Sequence, residues 1–138
     1  MKKKFDVNYG PKLGEIIEDT NNIGEEMNDS YLLVKKYIDD NTIDIDLVQI
    51  QDKFQNGTDK YKRNLVSLKN LKAPIKELGK HNQMISAYED YVDGCQLMVD
   101  SLNDDSVDEE KFNESEKNQE ESSDRVTKVV QRILTSYM

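Results

Sequence analysis

Apolar and polar residues alternate along almost the whole chain with the three-and-four spacing of amphipathic helices. The clearest stretch runs from Pro74 to Leu102, PIKELGKHNQMISAYEDYVDGCQLMVDSL. Leu78, Ile85, Val92 and Val99 recur at heptad spacing, and His81, Tyr88, Cys95 and Leu102 form a second such row. A third row, Met84, Tyr91 and Met98, makes the stripe wider than a coiled-coil seam. This predicts a helix packed by more than one neighbour.

The same spacing predicts three further helices. Residues 1–10 read as a flexible, polar N-terminus ending in a Tyr9-Gly10-Pro11 turn. Pro11 then opens a first helix to about Asp40. Its rows are Leu13, Thr20, Met27, Val34, then Ile16, Ile23, Ser30, Tyr37, and lastly Ile17, Gly24, Tyr31, Ile38. A polar break at Asp39–Thr42 offers Asn41 or Thr42 as the cap of a second helix over 43–72. That helix carries Leu47, Phe54, Tyr61 and Leu68 in one row, with Ile50 and Leu71 in the next. Asn56-Gly57 inside it is a strong turn dipeptide. The heptad phase survives it, so one continuous helix is expected. Lys72-Ala73-Pro74 ends this helix, and the third spans 74–102.

Ser106 with Glu109 matches a capping box and predicts a fourth helix over 106–137. Its rows are Phe112, Gln119, Val126, Ile133 and Glu116, Ser123, Val130, Tyr137. The first half is so poor in apolar groups that 104–122 is expected to pack loosely or fray. Four long segments joined by short breaks predict an all-α, antiparallel, up-down-up-down four-helix bundle forming one domain of 138 residues.

Composition narrows the function classes. With 28 acidic against 19 basic residues the formal charge is -9, which argues against nucleic-acid binding and adsorption to anionic membranes. No apolar run is long enough to span a bilayer. No apolar core follows Met1–Lys4, so no cleavable signal peptide is expected. The chain is read as cytoplasmic, or exported without such a signal. A single cysteine rules out an internal disulfide.

Catalytic and metal chemistry lack the residues they need. Bundle di-iron sites require two Glu-x-x-His motifs, whereas this chain has one histidine, His81. The rows make His81 a core or boundary histidine and Cys95 a small buried hydrophobe. Phosphate loops, nucleophile elbows and paired cysteines are absent. No enzyme activity, metal or cofactor is expected.

Two features remain as binding candidates. Met84, Tyr91 and Met98 are ordinary core if the last helix covers them, and a docking strip if it does not. Tyr31, Tyr37 and Ile38 would extend that strip. The segment 104–124 is strongly acidic, with Asp108, Glu109, Glu114, Glu116, Glu120 and Glu121 as its candidate face. Residues 59–80 are correspondingly basic. The two faces either attract each other within the bundle or present one charge to a partner.

The signal-free start, the long heptad helices and Phe54-Gln55-Asn56-Gly57 followed by Tyr61 resemble Gram-positive type VII secretion proteins. These are the WXG100 group and the helical accessory proteins of LXG toxins. The chain departs from that pattern in having no tryptophan and a longer spacing to the glycine. No tyrosine is followed four residues later by Asp or Glu. The resemblance implies a helix-to-helix complex with a larger effector. A non-enzymatic protein-interaction module is therefore expected, binding its partner through helix packing, with self-association left open. The alternative is an immunity or inhibitor protein whose acidic face blocks a basic toxin.

Overall fold

The computed structural model describes residues 6–137. Four helices form an all-α bundle: α1 (Tyr9–Asp39), α2 (Leu47–Asn70), α3 (Leu78–Asp100) and α4 (Glu109–Tyr137). A single 3-10 turn, Ile75–Glu77, precedes α3. Cross-helix hydrogen bonds fix the up-down order. At one end the Asp6 carboxylate accepts from the Lys72 amide at 2.9 Å, and Ser136 donates to Glu77 at 2.7 Å. At the other end Gln51 donates to the Leu102 carbonyl at 2.7 Å, and Tyr37 donates to that of Asp105 at 3.1 Å.

Several boundaries differ from those the sequence predicts. Helix α1 starts at Tyr9, because Tyr9 is fully buried and its hydroxyl is anchored on His81. Residues 6–10 are therefore held in place rather than flexible, whereas the expectation for 1–5 falls outside the described residues. Helix α2 starts four residues later than the spacing suggests, since Asp46, not Asn41 or Thr42, caps it by accepting from the Gln49 amide. Ser106 forms no capping box. It pairs instead with Asn103 beside a short Leu102–Val107 bridge, and the Asp108 carboxylate accepts from the Lys111 amide at the start of α4.

Asn56-Gly57 lies within an unbroken α2. Gly57 serves packing rather than turning: a Cβ there would stand 2.3 Å from the Met27 Sδ. The polar first half of α4 is also fully helical and does not pack loosely. Phe112, Ser115 and Ser122 are buried in it, and the Ser115 hydroxyl donates to the Gly94 carbonyl at 2.8 Å. A Cβ on Gly94 would meet Gln119 Cγ at 3.1 Å and its backbone nitrogen at 3.3 Å. Small residues let α3 and α4 approach where large apolar ones would hold them apart.

The core has two halves. Tyr9, Leu13, Tyr61, Leu68, Met84 and Tyr88 anchor one, and Val34, Phe54, Met98, Leu102 and Phe112 the other. Met27 packs against both. Leu78, expected on the apolar stripe, is exposed because it begins α3 at the rim of the bundle. Among the described residues no helix is long and apolar enough to cross a membrane.

Candidate functional site

Helices pack closely in the order α1 on α2, α2 on α3 and α3 on α4, while the α1/α4 seam is loose. The residues facing that seam explain why. Helix α1 offers Ile17, Thr20, Asn21 and Gly24, and α4 offers Ser123, Val126, Thr127 and Val130. Five of these eight are polar or lack a side chain, so no continuous apolar ridge can fill the opposing groove. A recess of about 320 Å³ results, with Tyr88 and Tyr91 as its floor.

Tyr91 also borders two further recesses. One, of about 200 Å³, lies between the two core halves among Met27, Phe54, Tyr61, Cys95 and Met98. The other, of about 310 Å³, opens beside Tyr31, Glu116, Gln119 and Glu120. The three form a trough along the seam whose floor is aromatic and thioether. From Glu116 to Gln131 its α4 wall is on the order of 22 Å long at about 1.5 Å per residue.

One end of the trough is clasped. Tyr31 donates to the Glu116 carboxylate and stacks on Phe112 with ring centroids 6.0 Å apart. Lys35 approaches the same carboxylate at 3.1 Å. Burial and the Glu116 bond push the Tyr31 phenol up to about 12. At the floor the Tyr91 hydroxyl donates to that of Tyr61 at 3.2 Å, and Tyr88 shares a 2.8 Å bond with Thr20. Burial raises all three phenols, Tyr88 to about 12, and keeps them protonated hydrogen-bonding groups. The Cys95 thiol is likewise pushed up to about 12 by burial, which leaves it a packing group rather than a nucleophile.

The residues expected to form a docking strip do not form one surface. Met84 and Met98 are buried, because α4 covers that side of α3 through its small residues. Met84 is therefore core and outside the trough. Tyr37 and Ile38 pack at the far end of the bundle against the second core half. Tyr31, Tyr91 and Met98 do come together at the trough. Thr20, Gly24, Gln119 and Ser123 complete it, and the sequence marks them only as polar or small interruptions of the apolar rows.

The acidic candidates also separate. Asp108 is a helix cap and Glu116 belongs to the clasp, while Glu109, Glu114, Glu120 and Glu121 are exposed. Helices α2 and α4 sit diagonally across the bundle, so the basic and acidic segments do not neutralise each other. Lys60 instead reaches Glu26 on α1, and Lys69 reaches Glu89 on α3. Among the described residues no cluster of three or more His, Cys, Asp or Glu is placed to hold a metal. No protein-family model, no curated protein and no solved structure matches the chain.

Proposed function

We propose that this chain is a non-enzymatic protein-interaction module whose α1/α4 trough receives a helix of its partner. The observation that carries this reading is Tyr91, half-buried at the junction of three recesses in the one loose seam of the bundle. A tyrosine floor offers apolar area at low conformational cost, and the neighbouring thioether adapts to varied side chains. In its finer form the proposal makes the partner a larger effector of a secretion system, in line with the resemblance described above.

Photocrosslinking in the native cell tests it. A benzophenone amino acid at Asn21, Ser123 or Thr127, all exposed on the trough walls, should capture the same partner. The same group at Val66, exposed on α2, should not. Equal capture from all four positions, or capture from Val66 alone, would remove the trough as the docking site.

A second reading is favoured by a separate observation. Of the ten acidic residues between Asp104 and Asp124, only Glu116 and Asp124 take part in ion pairs among the described residues. Such a face suits an inhibitor of a basic protein. Replacing Glu109, Glu114 and Glu121 by lysine would then abolish binding, whereas under the trough reading it changes little.

A further inference from the structure

The two ends of the bundle carry opposite charge, and each presents apolar side chains at its surface. At the α2–α3 corner, Ile75 is 77% exposed and Leu78 is exposed beside it. Around them lie Lys72, Lys76 and Lys80, with the Asp6 carboxylate on the Lys72 amide as the adjoining acid. Lys80 is paired with Glu77 at 3.3 Å, whereas Lys72 and Lys76 make no direct ion pair among the described residues. This corner is an apolar knob in a basic collar.

At the opposite end a groove of about 610 Å³ lies between α1, the segment 44–46 and the first turns of α2. Its apolar lining is Leu33, Ile45 and Ile50, its acidic groups are Asp44, Asp46 and Asp52, and Lys53 is the one base. Asp46 is occupied in capping α2. Asp44 and Asp52 form no ion pair among the described residues.

We infer that the groove binds the Ile75 knob of a second copy of this chain, with Lys72 and Lys76 of that copy against Asp44 and Asp52. Opposite charges flank exposed apolar side chains on two surfaces that one molecule carries at opposite ends. Because they are far apart, a copy cannot satisfy its own groove, but two copies in antiparallel alignment satisfy each other. The apolar insertion supplies affinity and the charges set orientation, so the association weakens with salt. This surface is separate from the α1/α4 trough, and either can fail without the other.

The test uses two charge-reversed variants, K72E/K76E and D44K/D52K, in sedimentation velocity at about 50 mM and about 500 mM salt. Every substituted side chain is solvent-exposed, and circular dichroism checks that both variants fold. The wild type should associate at low salt, dissociate at high salt, and lose association on I75D. Each reversed variant alone should be monomeric, since its knob and groove then share one sign. An equimolar mixture should associate again, since every contact between unlike molecules pairs opposite charges. A wild type that stays monomeric at low salt overturns the inference, as does a mixture that fails to associate. Equally decisive against it would be a monomer whose Ile75 and Lys76 instead drive binding to phosphatidylserine vesicles.

Discussion

His81 shows how a single residue couples the start of α1 to the rest of the bundle. A carbonyl can only accept, so the bond from Nε2 to the Leu68 oxygen at 2.9 Å places the proton on Nε2. Nδ1 then accepts from the Tyr9 hydroxyl at 2.8 Å. Burial pushes the imidazole below its ordinary range, with the Leu68 bond opposing in part. The sign follows from linkage: below about pH 6.5 the unfolded chain takes up a proton that the native chain resists, so stability falls as pH drops through that range. Urea midpoints at about pH 7.5, 6.5 and 5.5 should decline in the wild type. They should stay level in H81Q, which is less stable throughout but lacks the titrating group. The carboxylates of Asp6, Asp40 and Glu77 are held low by their hydrogen bonds, and their contributions are lost only at more acid pH. A second residue-scale prediction concerns Gly57, where Met27 already occupies the space of a Cβ. G57A should cost about 1 kcal/mol or less, because the clash is with the tip of a flexible methionine that can swing aside and alanine regains about 1 kcal/mol of helix propensity. Pairing it with M27A should recover part of that loss, because the two sites are in contact. Thermal melts of the single and double variants decide this, and strict additivity would refute it.

At the scale of helices, the apolar rows foretold which elements exist and which faces turn inward. Leu47, Phe54, Tyr61 and Leu68 are all buried, and α2 runs through Asn56-Gly57 as its unbroken phase suggests. Helix starts were harder to read. Several residues compete for each cap, and the tertiary position of Tyr9 or Asp108 decides between them. The first half of α4 departs from the apolar pattern for a different reason: its inward face is built from Ser115, Gln119 and Ser122, which hydropathy cannot distinguish from solvated residues. What recruits them is Gly94 on the neighbouring helix, through the Ser115 bond to its carbonyl. G94V should therefore disrupt α3/α4 packing far more than S115A. The former drives a branched side chain into backbone, and the latter removes one hydrogen bond of about 1 kcal/mol. Denaturant titration of both variants checks the order, and equal losses would show that the close approach is incidental. The trough was legible only in part. Tyr91 and Met98 stood out as a flanking row, but its walls consist of the rows' exceptions, Thr20, Gly24 and Ser123, whose convergence only the fold reveals.

Seen as a whole, the molecule is a succession of close pairs from α1 to α4 whose first and last members meet loosely. That edge is held at one end by Tyr31, Lys35 and Glu116, and nearby by Tyr37 on the Asp105 carbonyl. Between these tethers and the Tyr9 end lie the recesses floored by Tyr91. Opening along α1/α4 therefore disturbs less buried apolar surface than separating any other pair, and it is the motion that would admit a partner helix. The cost of releasing the clasp is small, since a partly exposed ion pair and one hydrogen bond together contribute about 1–2 kcal/mol. E116Q should lower overall stability by no more than this, yet raise amide exchange within 17–35 of α1 and 116–130 of α4. The facing helices α2 and α3 should exchange at their original rates, because their mutual packing does not involve Glu116. Hydrogen exchange read by mass spectrometry distinguishes this from general loosening. Equal acceleration across all four helices would mean that the bundle opens only by global unfolding, and the trough would then be a static surface rather than a separable seam.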